Sequence, residues 1–162
     1  IILNGDNPLV HPNIIKKMYL IYKKGKYDYL DAYEELPIGI WPKIIKKSAI
    51  KKVCEIKNKT DTEAYSLWFY KLEKIFKIGK YKNKNLKKFI KLRLTVDTID
   101  DFNLVKLIIE KFLVPNQKNY NLFSMLKYVQ NNKKIYRINS KVKQISADKF
   151  PFGVKKKYVN FL

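Results

Sequence analysis

The chain has 162 residues, 46% of them hydrophobic and 14% aromatic, with a formal net charge of +21. That length suits one domain of ordinary size. The apolar content excludes a disordered chain, and no apolar run approaches the ~20 residues needed to cross a bilayer. The single cysteine, Cys54, excludes an internal disulfide and fits a reducing cytoplasm. With one histidine beside it, soft ligands are too few for zinc. The charge favours anionic partners: nucleic acid, acidic membranes, nucleotides or sugar acids. Yet of 35 basic residues only Arg93 and Arg137 are arginine. Specific phosphate or base recognition favours arginine forks, so a solvated lysine surface is the simpler account of the excess.

The chain opens on Ile1-Ile2-Leu3-Asn4, read as a buried strand, and Gly5-Asp6-Asn7-Pro8 breaks it. An opening in mid-strand, without Met or a visible signal peptide, points to a piece of a longer protein. Pro12 suits a helix start, Ile14, Met18 and Ile21 follow at helical spacing, and Gly25 stops the helix. Residues 27–33 read as a short strand, 36–39 as a turn or loop, and 43–46 as another strand. Ser48 caps a predicted short helix through Glu55, and Thr60 with Glu63 makes a capping box before a helix over 61–71. Residues 75–81 and 88–94 read as strands, and from Lys71 to Arg93 ten residues are basic against one acid, Glu73. Thr98 caps a helix with Asp101 three residues on, and Phe102, Val105, Ile109 and Phe112 form its apolar stripe. Residues 122–130 predict a further helix. Residues 133–162, with nine basic residues and one acid, read as a basic arm or tail after a body over 1–132.

Strands alternating with helices predict an α/β fold around a mixed, mostly parallel sheet. In such sheets ligands bind beyond the carboxyl ends of the strands. Two predicted strands end in aspartate, at Asp6 and at Asp97. If both lie in one sheet, two hard oxygen ligands share a rim, which suits Mg²⁺ with substrate phosphate completing its shell. The plainer reading is that each aspartate caps the turn or helix that follows.

The segment Asn4-Gly5-Asp6-Asn7-Pro8-Leu9-Val10-His11-Pro12 resembles the G-D-x-P-L-[IV]-x-P block of the cytidylyltransferase family. That family includes spore-coat polysaccharide (SpsF-type) proteins and the 3-deoxy-manno-octulosonate and acylneuraminate cytidylyltransferases. Leu92-Arg93-Leu94-Thr95-Val96-Asp97-Thr98-Ile99-Asp100-Asp101-Phe102 resembles the L-R-[WL]-T-[VI]-D-T-x-[ED]-D-[FL] block closing the catalytic core of SpsF-type members. The resemblance runs from about residue 1 to 130. It implies the C-terminal half of a Rossmann-like, nucleotide-diphospho-sugar-transferase-like domain, with a Gly- and Arg-containing nucleotide loop in a preceding half. It implies that Asp6 and Asp97 bind Mg²⁺, and that Gly5, Asn7, Gly39, Glu63 and Arg93 stand at substrate-binding positions. The implied reaction joins CMP from CTP to an acid sugar and releases pyrophosphate, for surface polysaccharide or glycan synthesis, in a cytoplasmic homodimer.

The sequence also departs from that pattern. Trp41 and Lys43 stand where the family has acids, and Thr62 and Ala64 where it has arginine and histidine. These exchanges leave open another substrate, a catalytically inactive or dimerisation module, or a basic module for nucleic acid or polyanions. Glu63 keeps the family's acid, though capping explains it as well. Arg93 reads equally as a fork for phosphate or carboxylate and as the partner of a nearby acid. His11 reads as a surface residue rather than a catalytic base. Trp41, Trp68 and the tyrosines Tyr19, Tyr22, Tyr65 and Tyr70 read as packing residues, and Cys54 as buried and inert.

Overall fold

A computed structural model of the chain describes residues 1–59, 64–115, 120–145 and 149–162. The first helix, α1 (Pro12–Gly25), buries Ile14 and Met18 and ends on Lys26, whose positive φ closes the turn where glycine is commoner. Each buried apolar side chain of this kind contributes about 1.5–3 kcal/mol. Next comes β1 (Tyr29–Asp31), buried at all three positions. It is the central strand of a three-stranded mixed sheet, antiparallel to β2 (Ile44–Ile45) and parallel to β3 (Ile78–Lys80). Mixed α/β architecture is therefore what the alternation of elements predicted.

Successive β1 side chains point to opposite faces, and each face has its own core. Leu30 joins Met18, Leu104, Ile108 and Met125, from α1, α5 (Ile99–Ile108) and α6 (Leu122–Asn131), together with Leu9, Ile40 and Leu94 from connecting segments. Tyr29 joins Val53, Ile56, Leu67, Trp68, Phe69 and Phe76, from α2 (Lys47–Ile56), α3 (Ser66–Lys71) and the loop after it. A sheet covered on both faces has no room for an alternating polar side, which is why Tyr29, Leu30 and Asp31 are all buried.

Several expectations need correction. Ile1 and Leu3 are exposed, and Ile2 makes only an isolated bridge to Lys43, so residues 1–4 are not a buried strand. Residues 88–94 are not a strand either. After the short α4 (Lys84–Lys87) the chain runs in i→i−3 turns, with Phe89 bonded to Leu86 and Leu92 to Phe89. The buried set there, Leu86, Phe89 and Leu92, recurs every third residue and fits tight turns rather than a pleat. On α5 the buried residues are Asp101, Leu104, Val105 and Ile108, while Phe102 stands half exposed. Lys46, not Ser48, is the cap of α2, and Cys54 is exposed on its outer side. The capping box at Thr60 and Glu63 lies outside the described residues.

The basic arm packs on the body at two places. After α7 (Lys133–Arg137), Asn139 is buried against α5. Farther on, Val154 bridges Lys57, and Gly153 accepts a hydrogen bond from the Trp68 indole at 3.2 Å. Among the described residues no helix is long and apolar enough to cross a membrane.

Candidate functional site

Three segments distant in sequence meet beside the sheet. The Ile38 carbonyl accepts from the Leu94 amide at 3.0 Å, the Ile40 carbonyl from the His11 amide at 3.3 Å, and the Asp6 carbonyl from the Val96 amide at 2.8 Å. The Thr95 hydroxyl adds a second bond to the Asp6 carbonyl. Neither aspartate ends a strand of the sheet, contrary to the expectation, but the backbone carrying Asp6 lies directly beside the backbone carrying Asp97.

Gly39 is what lets these segments close. Its φ is +100°, and a Cβ there would lie 2.3 Å from the Leu94 carbonyl group. Its contribution is thus close backbone approach. At Gly5 a Cβ would meet open space. Asp6 and Asn7 are half-buried, and the Oδ1 atom of each is buried without a hydrogen-bond partner among the described residues. Two orphaned oxygens side by side in sequence are costly unless something accepts their lone pairs.

Asp97 belongs to a tight polar cluster. The Arg93 guanidinium donates Nε to Asp101 Oδ1 at 2.9 Å and Nη2 to Asp101 Oδ2 at 3.1 Å. Arg93 Nη2 also contacts Asp97 Oδ2, and Nη1 contacts Gln144 Oε1. Asp101 accepts further bonds from the Asp97 and Thr98 amides and from Asn139 Nδ2, the last at 2.7 Å. Asp101 and Thr98 complete the capping box of α5. Burial works against the charge on Asp101, but hydrogen bonds from Arg93, Asn139 and the Asp97 backbone hold its carboxyl below the usual range. The fork of Arg93 is thus engaged by acids, and what it does is fix the orientation of Asp97. Asp97 itself stays accessible, its side chain 44% exposed.

Sequence reasoning missed several residues here. Asn139 and Gln144 come from the arm, 38 and 51 residues from their partners, and no local pattern marks them. Asp31, at the end of β1, is fully enclosed. It accepts from the Tyr29 hydroxyl at 2.6 Å, from the Tyr70 hydroxyl at 2.7 Å and from the Tyr33 amide at 3.0 Å. Burial, reinforced by this carboxylate, pushes the Tyr29 and Tyr70 hydroxyls far above the usual phenol range, so both stay protonated donors. His11 is buried, not at the surface: its Nδ1 accepts from the Asn13 amide at 3.2 Å and caps α1. Glu63 lies outside the described residues. Among the described residues no group of three or more His, Cys, Asp or Glu is placed to hold a metal by itself.

No protein-family model matches the chain. It is 27% identical over 145 residues to the uncharacterized protein MJ1063 of Methanocaldococcus jannaschii, covering 89% of this chain and 58% of that protein. Its backbone superposes on a cytidylyltransferase from Leptospira borgpetersenii serovar Hardjo-bovis with a TM-score of 0.70 and 23% identity. This match covers 89% of the present chain and 59% of the Leptospira chain. The likeness shows the fold. The chain therefore spans less than two thirds of the length of either protein.

Proposed function

We propose that this chain is the C-terminal half of a Mg²⁺-dependent sugar nucleotidyltransferase, which joins CMP from CTP to an acid sugar and releases pyrophosphate in surface polysaccharide or glycan synthesis. The observation that carries this reading is the bond from the Val96 amide to the Asp6 carbonyl, which sets the two aspartate-bearing segments side by side. The orphaned Oδ1 atoms of Asp6 and Asn7 and the exposed carboxylate of Asp97 are hard oxygens of the kind Mg²⁺ takes. Two carboxylates with substrate phosphate are an ordinary Mg²⁺ shell, so the lack of a third acid in the cluster does not count against it. The ion would supply charge neutralisation at the phosphates.

The chain's own residues prepare that site. Arg93 binds Asp97 through Oδ2, holding the carboxylate in one orientation, as a hydrogen-bonded partner does for many metal ligands. Asp101 and Asn139 fix Arg93 in turn. Gly39 holds the 36–40 loop against the strip from Leu92 to Asp97. The preceding half of the protein supplies the nucleotide loop, and a second copy covers exposed apolar residues such as Ile99, Phe102 and Leu107 on α5. The polyanion alternative is less well supported. Tyr27 and Tyr70 each carry a lysine of the dense stretch over the ring, Lys77 at 5.6 Å and Lys80 at 5.7 Å, where a base would stack.

The test is pyrophosphate release from CTP by the longer protein, with Mg²⁺ and an acid sugar. Asp97→Asn is expected to slow it about a hundredfold. Release at the parental rate in Asp97→Asn would contradict the assignment.

A further inference from the structure

Lys43 immediately precedes β2 and bridges to Ile2. Its backbone is pinned by reciprocal bonds with Ile2, at 2.8 and 3.1 Å. Its side chain is half-buried, and Nζ sits 4.7 Å from the centre of the Tyr65 ring. It makes no ion pair among the described residues, although the charges of Asp31 and Asp6 both reach it. Asp31 is no partner, because two tyrosine hydroxyls and the Tyr33 amide already fill its carboxylate. A cation taken partly out of water needs either a contact ion pair or several acceptors, and the Tyr65 ring face satisfies only part of that need.

The neighbouring polar groups have the same imbalance. The Tyr65 hydroxyl is buried with no hydrogen-bond partner among the described residues. Burial, with Asp31 nearby, pushes it up to about 12, so it is a donor at neutral pH. Two residues before Lys43, the Trp41 indole N–H is likewise buried without an acceptor. Lys43 and Tyr65 are thus donors in search of acceptor oxygens, whereas Trp41 packs against the other core. An uncharged sugar hydroxyl would satisfy one donor and leave the ammonium uncompensated, whereas an oxyanion satisfies both the charge and the hydrogen bonds.

We propose that Lys43, with the Tyr65 hydroxyl, forms an oxyanion-binding subsite that takes the carboxylate or phosphate group of the second substrate and sets the specificity for an anionic acceptor. That the anion belongs to a substrate rests on the nucleotidyltransferase reading; the binding itself does not.

Calorimetric titration of the chain with inorganic phosphate, with glucuronate and with glucose tests this. The parent is expected to bind one or both anions saturably and glucose not at all. Phosphate alone would mark a phosphorylated acceptor, and glucuronate a sugar acid; both support the subsite. Lys43→Met should weaken anion binding roughly tenfold, Lys43→Arg should largely retain it, and Tyr65→Phe should weaken it about threefold. Lys16→Met, at an exposed lysine on α1, controls for diffuse attraction to a protein of charge +21 and should leave the affinity unchanged. A thermal melt checks folding; losing a half-buried, unpaired charge should not lower the melting temperature without ligand. Equal loss in Lys43→Met and Lys16→Met, saturable binding of glucose, or no saturable binding of either anion would overturn the proposal. Mn²⁺ affinity in the same variants separates the two ideas. Anion binding that survives while Asp97→Asn leaves metal affinity untouched would sink the metal reading and keep the subsite.

Discussion

Asp101 carries more of the site than either aspartate expected to bind metal, and the reason is its set of partners. It is fully enclosed, yet five donors from two segments, residues 93–98 and Asn139, converge on its two oxygens. Its folded-state carboxyl lies below the unfolded value of about 3.9. The sign follows: a lowered carboxyl contributes stability that is complete above pH ~4 and is lost as pH falls through the folded value. Asn139→Ala removes a donor to Asp101 and one to the Arg93 carbonyl. It is expected to cost about 1–3 kcal/mol at pH 7, with the gap from the parent narrowing below pH 3. Urea unfolding midpoints at the two pH values check this; a gap that stays constant across the range would place the effect outside Asp101. At this scale the sequence was informative only where partners are local. The Thr98–Asp101 capping box was legible because its groups lie three residues apart. Asn139, Gln144 and the Tyr29–Asp31–Tyr70 group were not, because their bonds join positions up to 51 residues apart.

Among elements, those with a start signal and a period were legible. Pro12 begins α1, Thr98 caps α5, and the short strands around Tyr29 and Ile44 lie where apolar runs placed them. The failures share a cause. Over 88–94, lysines among apolar residues resemble a half-buried strand, but Leu86, Phe89 and Leu92 pack at every third position in tight turns. On α5 the buried face is set one residue earlier than the predicted stripe and includes Asp101, which pairs with Arg93. Gly39 gives this scale its prediction. Alanine there meets both an unfavourable positive φ and a 2.3 Å approach to the Leu94 carbonyl group. Gly39→Ala should cost about 3 kcal/mol or more by urea unfolding. Gly5→Ala, which meets open space, should cost under about 1 kcal/mol. Equal costs would mean that the loop does not depend on close approach at Gly39.

For the whole molecule, the sheet divides two cores, and the candidate site lies where loops from both halves of the sequence meet. That α/β arrangement was legible from alternating elements, and a solved structure of the same fold bears it out. The arm was only half legible: its charge reads as a tail, while Asn139, Gly153 and Val154 tie it down through specific hydrogen bonds that composition does not reveal. In the proposed function Asp6 and Asp97 share one divalent-ion site. Adding Mn²⁺ in small steps to isotope-labelled protein, and watching which amide resonances broaden first, tests it most directly. The expected result is broadening centred on Asp6, Asn7, Val96 and Asp97, abolished by Asp97→Asn. Broadening centred on Glu34 and Glu35, or unchanged by that substitution, would contradict it.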